Sequence, residues 1–361
     1  MGQHPLLSGK SIVPEPIGPQ TTVKDLVERH FNAYNGARLS EAARLFGRHI
    51  LDPQNDVTVG LTLAGALTPA GLGGVVISLM EAGFVDWIVS TGANLYHDIH
   101  YALSHSLHQG DFRLDDVTLR KEGVIRIYDV LFKDEVLLET DSFIRKALEI
   151  WKDRGPVSSA ELHHFLGECL LPLPGARHSL LAAAARLDVP VYTSSPGDSS
   201  IGMNLARLAL EGGTLHVDHN QDVNETSAIV WAAHKNAALL MGGGSPKNFY
   251  MQTQPQLWEV LGLNKGGHDY FIQVTADAPH WGGLSGATPS EAVSWGKINP
   301  EELHQTVTVY ADTTIALPIL SAYAFDVAQP RRVKRLYAGR EQLVGQLKEA
   351  FSASQLEAAS R

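Results

Sequence analysis

Lys297 stands two residues after Trp295, with Gly296 between them. Those residue types suit chemistry on organic cations. An indole face attracts an ammonium through cation–π contact. A lysine kept neutral by desolvation attacks an electrophilic carbon and forms an imine. The same residues have an ordinary use, since most lysines are solvated surface charges and most tryptophans pack. The local sequence supplies a mount: Ser285-Gly286-Ala287-Thr288-Pro289-Ser290-Glu291-Ala292-Val293-Ser294-Trp295-Gly296-Lys297-Ile298. Thr288 is expected to N-cap a short helix, with Pro289 at its first position and Glu291 completing a capping box. Gly296 is expected to end that helix.

Other clusters point less firmly to chemistry. His97, His100, His105 and His108 contain two His-x-x-His spacings, but neither is His-Glu-x-x-His and no carboxylate set accompanies them. They read as solvated or hydrogen-bonded histidines, and no metal site is assigned. His216, His219 and His234 are scattered, and Asp218, Asp222 and Glu225 read as a helix N-terminus. No Gly-x-Ser-x-Gly spacing is intact, which argues against a serine hydrolase. Cys169, the single cysteine, lies in the apolar run Phe165–Leu171 and reads as a packing residue.

Composition sets the bounds. The chain has 361 residues, 44% hydrophobic and 19% charged, enough for a sizeable globular core. A formal charge of −10 argues against nucleic acid as a partner and is compatible with a cationic substrate. One cysteine excludes an internal disulfide and points to a reducing, cytoplasmic setting. Residues 1–20 lack a signal-peptide core, and no run approaches about 18 apolar residues, so no membrane association is expected.

The elements that must position Lys297 alternate between strand and helix. Residues 1–20 are expected as an extended arm, with helices over Thr22–Asn35 and Leu39–Ile50. Strands are expected at Asp56–Leu63, Val85–Ser90, Val189–Thr193, Ala237–Met241, Tyr270–Thr275 and Val307–Tyr310. A helix is expected from Thr68 to Ala82, an insertion with short strands over residues 108–135, a helix over Thr226–Lys235, and a last helix over Val333–Ser352. The pattern predicts an α/β fold: a Rossmann-like, mostly parallel sheet with helices on both faces and extra N-terminal helices. Ligands of such sheets bind at the C-terminal strand ends. Five strands here end in small polar loops: Thr91-Gly92-Ala93, Asp198-Ser199-Ser200, Gly242-Gly243-Gly244, residues 276–287, and Asp312-Thr313. Glycine permits close approach and helix N-termini favour phosphate, so a dinucleotide is a fitting ligand, although no Gly-x-Gly-x-x-Gly is present.

Glu291-Ala292-Val293-Ser294-Trp295-Gly296-Lys297-Ile298 resembles the active-site lysine segment of deoxyhypusine synthase. The resemblance extends over about residues 55–330, through Val309–Asp312, Leu240–Gly244 and Val85–Asp98. Residues 1–54 then form an N-terminal arm with helices, and 331–361 a C-terminal helix. The resemblance implies a Rossmann-like homotetramer with active sites between subunits. It implies oxidation of a polyamine by NAD and transfer of an aminobutyl group through a lysine imine to an amine acceptor. That acceptor is a translation-factor lysine in deoxyhypusine synthases and putrescine in the related homospermidine synthases. It makes Lys297 the nucleophile. Trp295, Glu291, Asn248, Gln252 and Ser285 become the substrate site, and Thr91, Gly92, Asp198, Gly243, Asp312 and Thr313 the NAD site. The chain departs from the family pattern at His97, Met203, Asn248, Gln252 and Leu284, where the deoxyhypusine-forming enzymes carry acidic or other polar residues. Asp277 and Asn204 lie close enough in sequence to substitute, and His280 and Trp281 are candidates for a reshaped amine pocket. These departures favour a small-amine acceptor of the homospermidine type. The alternatives are deoxyhypusine synthesis itself, or an NAD- and polyamine-binding sensor without turnover.

Overall fold

The computed structural model describes residues 5–359, so the first four residues of the expected arm lie outside it. The six expected strands form one parallel sheet. They are β1 (Val57–Leu63), β2 (Trp87–Ser90), β3 (Val191–Thr193), β4 (Lys235–Met241), β5 (Tyr270–Thr275) and β6 (Thr306–Tyr310). Their spatial order is β6-β5-β4-β1-β2-β3. This is the 3-2-1-4-5-6 order of dinucleotide-binding sheets, with the reversal between β1 and β4. The expected Rossmann-like class is borne out.

Parallel sheets are buried on both faces, and β1 is buried at every residue. Side chains alternate between the faces. Ile88, Leu239, Ile272 and Val274 enter one core, which the N-terminal residues Leu39, Ala42, Phe46 and Ile50 also join. Trp87, Val89, Ala238, Leu240 and Phe271 enter the other, together with Tyr250, Leu257 and Ile298. The second face carries the lysine segment.

Around the sheet run α1 (Tyr34–Arg44), α2 (Gly73–Glu81), α3 (Gly92–Ala102), α4 (Glu135–Ile150), α5 (Ser159–Leu170), α6 (Leu180–Leu187), α7 (Ser200–Leu210), α8 (His219–Ala232), α9 (Gly244–Met251), α10 (Pro289–Ser294), α11 (Thr313–Val327) and α12 (Arg340–Ala359). The expected insertion is a small antiparallel sheet of His108–Gln109, Val130–Lys133 and Val124–Ile127. Among the described residues no helix is long and apolar enough to cross a membrane.

Several expected boundaries are corrected, among them the Thr22–Asn35 helix, which stops at His30, and the helix expected from Leu39, which starts at Tyr34. The Thr68–Ala82 helix is split: a 3-10 turn covers Thr68–Ala70, and Gly71 at φ 84° separates it from α2. Helix α8 begins at His219, because the Asp218 carboxylate caps it by accepting from the Asn220 amide, and Lys235 already belongs to β4. Residues 331–336 are not helical. Arg331 donates to the carbonyls of Gly83 and Val57 and pairs with buried Asp86, and Lys334 pairs with Asp56. These bonds pin the segment as a strap under the N-terminal ends of β1 and β2.

Gly60 makes room for the helix that bears the site. A Cβ there would lie 2.2 Å from the Tyr250 ring and 2.6 Å from Trp87. Tyr250, on α9, stacks on Trp87 at 4.6 Å and its hydroxyl donates to the Ala237 carbonyl at 2.8 Å. Gly60→Ala is therefore expected to lower stability by about 1–3 kcal/mol, as overpacking does. Urea denaturation measures this, and an unchanged midpoint would show that α9 adjusts freely.

Candidate active site

Every strand of the sheet is parallel, so all six C-terminal ends open at one edge. Gly242–Gly244 follow β4 at the reversal point, and residues 276–288 follow β5. Gln273, fully buried near the end of β5, joins the two loops: its amide nitrogen donates to Gly242 O at 2.9 Å and to Ser285 O at 2.8 Å. Its amide oxygen accepts from Lys247 Nζ at 2.9 Å. Lys247 also donates to Ala287 O at 2.7 Å, and the Gly244 amide donates to Ser285 Oγ at 2.9 Å. Gly243 is required in this clasp, because a Cβ there would sit 2.4 Å from Ser285 Cα.

The clasp sets the wall against which the lysine segment lies. Thr288 caps α10 as expected, accepting from the Glu291 amide at 3.2 Å. The reciprocal arm of the expected capping box is not formed, which leaves the Glu291 carboxylate available to the pocket. Gly296 ends the helix at φ 65°, and the Trp258 indole lies 2.5 Å from where its Cβ would be. That indole donates to Trp295 O at 3.3 Å. Beyond Gly296 the backbone is held by a parallel bridge: the His268 amide donates to Lys297 O and the Asn299 amide to His268 O.

A pocket of about 300 Å³ results. Lys247, Asn248, Met251 and Gln252 line it from α9 and its C-terminal end, spaced to share one helix face. Glu291, Ala292, Trp295 and Lys297 line the opposite wall, with Phe271, Leu284, Ala287 and Thr288 between. Lys297 Nζ donates to Asn248 Oδ1 at 3.3 Å and lies 5.6 Å from the Trp295 ring centroid. Burial lowers the Lys297 pKa, and the carboxylates of Glu259 and Glu291 pull it back up. Burial acts more strongly on Lys247, whose amine is brought down to about 8, with Glu291 opposing the shift and Lys297 adding to it.

A nucleophilic amine, an ammonium-binding carboxylate and an indole thus face one cavity. Comparison with known proteins gives this arrangement its relatives. The deoxyhypusine synthase family model matches residues 26–324. The chain belongs to the deoxyhypusine synthase family. Membership places it among the transferases. The deoxyhypusine synthase-like protein of Nostoc punctiforme is 53% identical over 355 residues, covering 96% of this chain and 90% of that one. That of Thermosynechococcus vestitus is 52% identical over 358 residues, covering 96% and 89%. A protein of Methanosarcina acetivorans assigned as a deoxyhypusine synthase is 38% identical over 290 residues, 80% of this chain and 82% of that one. A crystal structure from Entamoeba histolytica, assigned as a deoxyhypusine synthase, matches with a TM-score of 0.57 at 15% identity, covering 87% and 97%, and shows the shared fold.

Of the residues expected from the deoxyhypusine synthase resemblance, Lys297, Trp295, Glu291, Asn248 and Gln252 line the pocket. Ser285 does not; its hydroxyl and carbonyl hold the clasp. Thr91 caps α3, and Gly92 lies against the loop after β3, where a Cβ would meet Ser199 at 2.2 Å. Asp198 precedes Ser199 in that loop. Ser245 donates to Ser194 Oγ at 2.7 Å and lies 3.2 Å from Ser195 Oγ, so the loops after β3 and β4 meet across the reversal. Asp312 caps α11 beyond edge strand β6, two strands from Gly243, with its carboxylate on the Thr314 amide and Thr313 opening the helix.

The positions of departure fall apart. Leu284 rims the pocket. Met203 is 62% exposed on α7. Asn204 does not stand in for a pocket acid: it donates to Asp141 and Ser200 and accepts from Arg145 beside a different cavity. Asp277, His280 and Trp281 are likewise absent from the pocket wall, and Trp281 is 67% exposed. His97 contacts His100, with Nδ1 and Nε2 3.0 Å apart, and His100 contacts the Thr140 hydroxyl at 2.8 Å, so these rings satisfy one another.

Sequence reasoning passed over Lys247, Gln273 and Glu259. The signal for Lys247 was the four-residue step from Lys247-Asn248 to Met251-Gln252 after the glycine loop. That for Gln273 was a polar residue interrupting an apolar strand.

Lys247 is 5% exposed and binds its proton less tightly folded than unfolded. Below pH 8 the buried ammonium weakens the fold. Between about 8 and the ordinary lysine value of 10.5 the unfolded chain holds a proton that the folded chain has released, so stability rises with pH across that window. The rise is expected to reach about 3 kcal/mol, and Lys247→Met to remove it. Urea midpoints measured from just below pH 8 up to pH 10.5 test it; parallel profiles for both proteins would refute it.

Proposed function

We propose that this chain is an NAD-dependent aminobutyl transferase that passes the group from a polyamine through a Lys297 imine to a small amine. The observation that carries the reading is the Lys297 amine. It is half-buried with a lowered pKa, beside an indole and within reach of two carboxylates. A lysine in that setting offers a free amine fraction for attack. Glu291 binds the far ammonium of the substrate, Trp295 covers its alkylammonium stem, and Asn248 orients the Lys297 amine by accepting from it.

The crevice fits a dinucleotide. It lies at the strand-order reversal, where Gly92 and Gly243 admit no Cβ and the Ser194, Ser195 and Ser245 hydroxyls gather. Thr91, Gly92, Asp198 and Gly243 would hold NAD, with Asp312 and Thr313 toward the far edge. When bound, the nicotinamide supplies the hydride acceptor that turns the donor amine into an imine and later returns the hydride. The protein's own part is to desolvate Lys297, to fix the substrate ammonium on Glu291, and to exchange the imine nitrogen. Leu284 and Asn248, both on the pocket wall, replace polar or acidic residues of the family pattern, which favours putrescine over a protein lysine as acceptor and homospermidine as product. Assembly as a cytoplasmic homotetramer belongs to the same proposal.

Incubation with NAD and spermidine or putrescine, followed by borohydride and peptide mapping, is expected to place an aminobutyl adduct on Lys297. Lys297→Ala should abolish both adduct and product. Glu291→Gln should raise KM for the diamine about 10-fold or more, the loss of one charged hydrogen bond. Transfer to a purified translation-factor lysine instead of putrescine would identify a deoxyhypusine synthase. NAD binding with no adduct from any polyamine would leave a sensor.

A further inference from the structure

The pocket wall carries three titratable side chains among the described residues: Lys247, Glu291 and Lys297. Imine exchange needs a group that moves protons between two nitrogens, and the nucleophile cannot serve itself. Glu291 is exposed, whereas Lys247 is buried in the wall it shares with Lys297, close enough for the two amines to act on each other electrostatically. Its Nζ has two protein acceptors, Gln273 Oε1 and Ala287 O. A neutral amine has two N–H donors and one lone pair. Both donors are therefore satisfied without a charge, and the remaining position holds either a lone pair or a third proton. The amine passes from one form to the other without breaking a bond to the protein. We propose that Lys247 is a catalytic residue, the general base and acid for imine exchange at Lys297, and that Gln273 positions it.

This role rests on the lysine-imine reading above. In the exchange, Lys297 Nζ adds to the carbon of the bound imine and a C–N bond forms. Lys247, as free amine, takes a proton from the Lys297 nitrogen, and its ammonium delivers it to the departing nitrogen. The old C–N bond breaks as a second proton makes the same passage. Lys297 has then exchanged two protons for a C=N bond, the departing amine has gained two protons, and nothing is oxidised or reduced. An amine titrating near 8 is suited to both directions of transfer at physiological pH. The charged groups acting on it are Glu291, which favours the ammonium, and Lys297, which opposes it.

The test uses the whole protein without substrate or cofactor. Butanal and cyanoborohydride convert an imine at Lys297 into a stable butyl adduct, and its rate of formation is followed by peptide mass from about two pH units below the Lys247 value of about 8 up to pH 10.5. The wild-type rate should rise through a limb near pH 8 to a plateau. Lys247→Met should lower that plateau about 100-fold, the lower range for loss of a general base. A purely electrostatic neighbour would shift the limb and leave the plateau unchanged, and that result overturns the proposal. Gln273→Glu should hold Lys247 as ammonium and move the limb to higher pH with its plateau kept. An unmoved limb overturns the proposal even if the Lys247 variant does not fold. Labelling of Lys247 in place of Lys297 would also overturn it. A wild-type Lys297 that never labels removes the imine reading and this role together, whereas equal plateaus remove only this role.

Discussion

The site depends on one buried ammonium held by two carbonyl-type oxygens. Lys247 sits where a charge is costly, because burial strips its water. Gln273 and Ala287 repay part of that cost, and in doing so they fix three chain segments relative to one another. Gln273 belongs to the sheet, Ala287 to the loop before the lysine segment, and Lys247 to the helix after the glycine loop. Both N–H donors of the Gln273 side chain are used, on Gly242 and Ser285, and its oxygen takes Lys247. A polar group so placed cannot drift, since each lost bond leaves a buried donor or acceptor unpaired. The α9 wall of the pocket is therefore tied directly to the sheet.

Lys297 is fixed by different means. Its side chain is only half-buried, so its backbone supplies the precision. Gly296 adopts a left-handed conformation and simultaneously lets Trp258 approach, two demands that glycine alone meets. The bridge to His268 then holds Lys297 and Asn299, on either side of Ile298, in register with a buried segment. Trp258 ties this turn back to Trp295 and brings its neighbour Glu259 into electrostatic range of the amine. Burial favours the neutral amine and the carboxylates favour the charged one. A pocket meant to hold a cationic substrate must keep that opposition, because removing the acids would free the nucleophile while losing the substrate.

What the sequence made legible follows from what each residue carries by itself. Parallel strands buried on both faces appear as short apolar runs, so all six were found; β5 was found with its bounds intact. The helix cap at Thr288 and the stop at Gly296 are local, and they were found as well. The order of the strands is not local and only the structure gives it. Lys247 and Gln273 were missed for the same reason: each reads as an isolated polar residue, and the bond between them spans 26 positions. The strap at 331–336 looked helical because Arg331, Lys334 and Arg335 are good helix formers. Their partners Asp86, Asp56 and Asp188 lie far away in sequence and override that preference. Asn204 and Asp277 were chosen for nearness along the chain, which does not measure nearness to a pocket built from helix α9 and the lysine segment.

The departures from the deoxyhypusine-forming pattern acquire a shared meaning once they are placed. Met203 and Leu284 put apolar side chains where the pattern has acids, one on an open helix face and the other on the pocket rim. Asn248, another position of departure, accepts from the nucleophile. The negative charge that remains is therefore concentrated near Lys297, on Glu291 and Glu259, while Met251, Phe271 and Leu284 make much of the remaining wall apolar. Such a wall suits a methylene chain whose far ammonium is held on Glu291. The polarity of the pocket and the replacement of acids thus support the same proposal, a small-amine acceptor, with the proton traffic left to the buried lysine that the clasp holds in place.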